Sequence, residues 1–161
     1  MKYYIAYGSN LHVAQMQRRC PGAIPAGTAW LDGWRLAFRG SKTGAYLTIV
    51  PDKRCRVPVG VWLIDRDHEL ALDRYEGYPT FYQKREMRID LTRADGTSTP
   101  ITAMVYLMPS TAKKGAPTRQ YVSTCEVGYL CFGLDLKYLL QAVRNALPKP
   151  TRIKQAKGAA K

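Results

Sequence analysis

Acidic residues are scarce in this 161-residue chain, 12 against 25 lysines and arginines, which leaves a formal net charge of +13. No apolar run approaches the ~20 residues that cross a bilayer as a helix. The opening Met1-Lys2-Tyr3-Tyr4 lacks the apolar stretch and cleavage site of a secretory signal. A cytoplasmic location without membrane attachment is therefore expected. Two histidines, His12 and His68, accompany four cysteines, Cys20, Cys55, Cys125 and Cys131, and no two cysteines form a CxxC pair. Structural zinc sites need closely spaced ligand pairs, so no metal is expected. Without an export signal the thiols should stay free and pack as small hydrophobes. The later glycines of a dinucleotide fingerprint and the Gly-Lys-Ser/Thr of a phosphate loop are also missing.

Hydrophobic residues make up 46% of the chain and charged residues 23%, the balance of a folded globular protein. The length suits one domain, assigned to residues 1–148. Residues 149–161 hold Lys149, Arg152, Lys154, Lys157 and Lys161 with no acid and no apolar periodicity. They read as a basic, flexible tail. The positive charge is spread over the body as well, and it favours an anionic partner without choosing among nucleic acid, membrane surface and small molecule. No aromatics interleave the basic residues of the tail, so a solvated tail is the better reading than a nucleic-acid contact.

Residues 2–7 read as a strand. Gly8-Ser9-Asn10 breaks it, and Asn10 is placed to cap a short helix from Leu11. Residues 24–38 look extended with a bend or bulge. Two strands, 46–50 and 57–64, are expected around a polar turn at 51–54. Asp65 should cap a helix through Tyr75, stopped by Gly77 and Pro79. Residues 83–91 alternate, Asp95-Gly96 signals a hairpin, and 101–108 return. Helices are expected over 118–131 and after a cap at Asp135, ending at Pro148. About six strands with a few short helices do not alternate as a doubly wound sheet would. The expected fold is α+β, a small mixed or antiparallel sheet closed into a barrel with helices outside.

Two features carry chemistry. Tyr7-Gly8-Ser9-Asn10-Leu11 is a glycine turn whose successive backbone N–H groups can hold a carboxylate or oxyanion. Taken alone, a plain structural turn is the simpler reading. Glu76 stands at the end of a helix, just before Gly77, where the helix dipole disfavours a carboxylate. Tyr75, Tyr78, Phe81 and Tyr82 flank it, and partial desolvation would raise its pKa toward general-base use. A solvated surface glutamate is the competing reading. Ser9 lacks a histidine base at a recognisable spacing, so a hydrolase triad has little support. Tyr121, Cys125 and Tyr129 serve equally as pocket wall or core.

The order Tyr7-Gly8-Ser9-Asn10-Leu11, Met16, Gly60-Val61-Trp62 and Leu72-Asp73-Arg74-Tyr75-Glu76-Gly77 resembles the gamma-glutamylcyclotransferase-like family, which includes AIG2-like proteins. The likeness runs from about residue 3 to residue 136, through Val105-Tyr106, Tyr121 and Gly133-Leu134-Asp135. It implies a barrel-like α+β fold with a pocket at the barrel mouth. It also implies an acyltransferase or lyase that turns a gamma-glutamyl amide into 5-oxoproline and a free amine or amino acid. On that likeness Glu76 is the catalytic carboxylate. Tyr7, Gly8, Ser9, Asn10, Leu11 and Tyr121 bind an anionic gamma-glutamyl substrate, and no metal or cofactor is needed. The alternative is a non-catalytic binding or regulatory protein on the same fold, contacting nucleic acid through its basic surface. That alternative expects Glu76 in solvent and remote from the Gly8 turn, or a filled pocket.

Overall fold

The aromatic, β-branched opening forms strand β1 (Lys2–Ala6) in the middle of a six-stranded sheet. The computed structural model describes residues 1–41 and 44–148; the tail expected at 149–161 lies outside the described residues. Two long strands, β2 (Ile24–Ser41) and β3 (Gly44–Ile64), pair antiparallel along their length. Strand β4 (Gln83–Thr92) and strand β5 (Ser98–Leu107) form the hairpin expected around Asp95-Gly96. β1 joins β3 antiparallel and β5 parallel. Pairing of β2 with both β3 and β4 closes the sheet into a mixed barrel. The two-residue β6 (Lys113–Lys114) adds to the far end of β2.

The α+β barrel with outer helices is as expected; three local features differ. Residues 51–54 do not separate two strands, because β3 runs through them. The register instead slips opposite Gly33, between Asp32 and Trp34. Asp52 accepts the Arg54 N–H at 3.1 Å and pairs with the Arg35 and Arg54 side chains, so the polar residues form a bulge in place. Asn10 caps no helix. The turn Ser9–Leu11 is a 3-10 helix, and helix α1 (Val13–Arg19) is capped by His12, whose Nδ1 accepts the Gln15 N–H. Asp135 is also one residue off. Helix α4 (Lys137–Ala146) has Leu136 at its N-cap, although the Asp135 carboxylate accepts the Lys137 N–H at 2.9 Å.

Helix α2 (Arg66–Glu76) follows local rules closely. Asp65 accepts the His68 N–H, His68 reciprocates to the Asp65 N–H, and Gly77 ends the helix in the left-handed conformation at φ 64°. Helix α3 (Arg119–Cys131) starts at Thr118, whose hydroxyl accepts the Tyr121 N–H. No helix among the described residues is long and apolar enough to cross a membrane. All four cysteines are free, with Cys20 and Cys125 buried.

The core positions the Gly8 turn from below. Leu11 is fully buried between two glycines, and a Cβ on Gly60 would stand 2.6 Å from Leu11 Cδ2. A Cβ on Gly128 would stand 2.6 Å from Leu11 Cβ and 2.8 Å from the His12 nitrogen. Helix α3 therefore rests directly on the turn. Gly128→Ala should gain about 1 kcal/mol of helix propensity and lose more to this overlap, since overpacking costs typically 1–3 kcal/mol. The expected net loss is up to about 2 kcal/mol in a urea titration at unchanged slope. A stabilised variant would mean that α3 is free to shift.

Candidate active site

A cavity of about 410 Å³ opens beside the C-terminal end of β1. The Tyr7-to-Asn10 segment and the Glu76 end of α2 both line it, and Tyr46, Leu47, Phe81, Tyr82, Tyr106 and Tyr121 complete its aromatic walls. The competing picture of a solvent-facing Glu76 far from Gly8 is not what the geometry has. Asn10 Nδ2 donates to Glu76 Oε1 at 2.7 Å.

Why these residues meet follows from the barrel. β1 carries the chain to Tyr7, whose hydroxyl donates to the Tyr106 carbonyl at 2.6 Å and ties the turn to β5. The indole N–H of buried Trp62 donates to the Asn10 carbonyl at 3.0 Å. Within the turn the first helical bond runs from the Leu11 N–H to the Gly8 carbonyl at 3.0 Å. The amides of Gly8, Ser9 and Asn10 stand ahead of that bond, where a helix start leaves N–H groups without an intrahelical partner.

Asn10 is buried and its side chain is fully engaged. Nδ2 donates to both Tyr4 Oη and Glu76 Oε1 at 2.7 Å, and Oδ1 accepts from Arg19 at 2.7 Å. Arg19 also donates to Gln15 Oε1 at 2.8 Å and Tyr75 Oη at 2.7 Å, with its guanidinium 3.7 Å from the Tyr75 ring centroid. Removal from water pushes the Glu76 carboxyl from its usual 4.5 up to about 7, against the opposing pull of the Asn10 hydrogen bond and the Arg19 charge. Burial likewise raises the phenols of Tyr4, Tyr7, Tyr82 and Tyr121, which stay neutral. Glu76 is thus a carboxyl group able to take or give a proton near neutral pH.

The family described as Gamma-glutamyl cyclotransferase, AIG2-like is matched over residues 4–124. The chain belongs to this family. A solved gamma-glutamyl cyclotransferase structure is 25% identical, with a TM-score of 0.74 over 97% of this chain and 94% of that one. An uncharacterized protein from Homo sapiens is 26% identical, also at TM-score 0.74 and with the same coverage. YkqA from Bacillus subtilis shares the fold at 22% identity and TM-score 0.70; the match covers 92% of this chain and 55% of that longer one. A search of curated protein sequences found no match.

For this family member, the residues expected at the site divide in two. Tyr7, Gly8, Ser9, Asn10, Glu76 and Tyr121 all line the cavity. Leu11 does not; it is fully buried and serves as the anchor beneath the turn. Tyr121 stands against Gly8, where an added Cβ would lie 3.1 Å from its hydroxyl, and that hydroxyl accepts the Leu47 N–H at 3.2 Å. Sequence reasoning missed Tyr4, Tyr46 and the side-chain role of Asn10. It also missed Arg19, at the end of a seven-residue helix with nothing local to single it out. Tyr78, expected to shield Glu76, is exposed.

Proposed function

We propose that the protein cleaves a gamma-glutamyl amide or peptide by intramolecular attack, releasing 5-oxoproline and a free amine or amino acid. The observation that carries this reading is the Glu76 carboxyl, raised to about 7 by burial and bonded to Asn10, in a cavity that the Gly8 turn also lines. Ionised Glu76 takes a proton from the substrate's alpha-amino group as that nitrogen attacks the gamma-carbonyl carbon. A five-membered ring closes, the amide C–N bond breaks, and protonated Glu76 returns the proton to the departing nitrogen. Nucleophile and electrophile lie in one molecule, so the cavity's main task is to hold the glutamyl chain folded. Such positioning is worth about 7–11 kcal/mol in favourable cases. The amides of Gly8, Ser9 and Asn10 hold the substrate carboxylate or the developing oxyanion, and the Tyr121 hydroxyl stands beside them. The net charge of +13 favours encounter with an anionic substrate in the cytoplasm.

The test supplies a panel of gamma-glutamyl amines and dipeptides, glutathione included, and follows 5-oxoproline by mass spectrometry. Release of 5-oxoproline with one equivalent of amine is expected, whereas free glutamate would mark attack by water and overturn the intramolecular route. Ser9→Ala distinguishes backbone from hydroxyl. Its Oγ stands a long 3.4 Å from exposed Tyr75 Oη, so activity should change by no more than about threefold. A loss of 10²-fold or more, the scale of a removed oxyanion donor, would assign the hydroxyl to the site.

A further inference from the structure

The buried amide of Asn10 points two different ends at two different partners, and only one orientation is compatible with both. Arginine has five N–H donors and no acceptor, so it can meet only the carbonyl end of an amide. Arg19 donates to Asn10 Oδ1 at 2.7 Å, and this turns Nδ2 toward Tyr4 Oη and Glu76 Oε1, each at 2.7 Å. With the amide reversed, Oδ1 would face Glu76. An acceptor in that position repels the carboxylate and welcomes the protonated acid. Tyr4 does not decide the matter, because a phenol donates or accepts equally well. Arg19 is itself held, by Gln15 Oε1 at 2.8 Å and by stacking on Tyr75, so its fork is pre-oriented.

We propose that Arg19 is a positioning residue that keeps the donor end of the Asn10 amide on Glu76 and so holds Glu76 in the form that accepts the substrate's proton. This rests on the reading of Glu76 as the proton shuttle.

The surroundings leave few other groups to supply that control. Glu76 is faced by Tyr4 and Tyr7 at the β1 end, Tyr82 just before β4, Tyr106 on β5 and Tyr121 on α3. Each of these phenols is raised by burial and neutral throughout the range in which Glu76 titrates. On α2 itself Arg74 lines the cavity mouth, where it is exposed. Asp73 is turned away, accepting the Tyr106 hydroxyl at 2.6 Å and pairing with Lys84. Arg19 is the charge bonded to a ligand of Glu76, and it does so from α1, 57 positions earlier in the chain.

The deciding readouts need no substrate. The chain contains four glutamates, Glu69, Glu76, Glu86 and Glu126, so carboxyl-labelled glutamate gives four carbon resonances, and Glu76→Gln identifies its own. In the parent protein the side-chain amide protons of Asn10 should titrate together with Glu76. In Arg19→Met, which keeps the stem over Tyr75 and removes every donor, the Glu76 midpoint should rise by about one pH unit. Below that midpoint the freed amide can reverse, so the Asn10 amide protons should shift over a wider range than in the parent. The acid limb of kcat/KM moves up with the midpoint. An unchanged midpoint overturns the proposal. So does a raised midpoint with the Asn10 amide protons shifting just as in the parent, which would mean that the Arg19 charge acts directly. Arg19→Leu, which also lacks every donor, provides the same readouts if Arg19→Met does not fold. Failure of the cyclotransferase reading would be distinct: the parent protein would release no 5-oxoproline while both titrations behaved as stated.

Discussion

Glu76→Gln is expected to lower kcat for 5-oxoproline release by about 10²–10⁴-fold, the usual range for a general acid–base group. The substitution is close to isosteric, and the new amide oxygen can still accept the 2.7 Å bond from Asn10 Nδ2. The cavity shape and the Gly8 turn are therefore retained, and the loss isolates proton transfer. KM should move little, because Glu76 acts on a proton in flight rather than on the bound carboxylate. The parent enzyme should show the same group in its pH profile. With a carboxyl at about 7, kcat/KM falls tenfold for each pH unit below that value, and the variant's residual rate lacks this limb. Near-ultraviolet circular dichroism checks that the variant is folded. A correctly folded Glu76→Gln protein within tenfold of the parent rate would remove Glu76 from the mechanism.

How much of this could be read from the chain follows the range of the interactions involved. Helix α2 was legible because its determinants are local: Asp65 three residues before His68, apolar Leu72 on the inner face, and Gly77 at the stop. Its end placed Glu76, and the flanking Phe81 and Tyr82 hinted at desolvation. The hint was half the cause. Tyr4, Tyr7, Tyr106 and Tyr121 also crowd the carboxylate, and closure of the barrel brings them there from β1, β5 and α3. No spacing rule reports such closure. Asn10 shows the same limit in reverse. Its type and position suit a helix cap, but a partly buried carboxylate and a guanidinium outcompeted the backbone for its amide. Residues 51–54 carry every sign of a turn, yet pairing of β2 with β3 on both sides of Gly33 absorbed them as a bulge. Gly60-Val61-Trp62 was noticed only through family likeness. The physical reasons are that Leu11 needs the space at Gly60 and Asn10 needs the Trp62 N–H.

The same carboxyl group should make the protein less stable at the pH where it works. In the unfolded chain Glu76 titrates near 4.5, and in the fold near 7, so the folded state binds its proton more tightly. That favourable contribution is complete below about pH 4.5 and is lost as the pH rises through 7. The difference across this window amounts to about 3 kcal/mol at 1.36 kcal/mol for each pH unit. Glu76→Gln removes the dependence. At pH 8 the variant should exceed the parent by on the order of 2–3 kcal/mol, or about 5–10 °C in Tm for a chain of this size. At pH 4.5 the two should nearly coincide. Urea titrations of both proteins at half-unit steps give the comparison directly, and the other ionisable groups cancel in the difference. Curves that stay parallel from pH 4.5 to 8 would mean that Glu76 is solvated and titrates as in the unfolded chain. A gap that opens with pH, in a variant that has also lost its rate, would identify Glu76 as a group kept at the expense of stability. A carboxylate serving only to hold the fold would behave in the opposite way, with its loss destabilising the protein most above neutral pH.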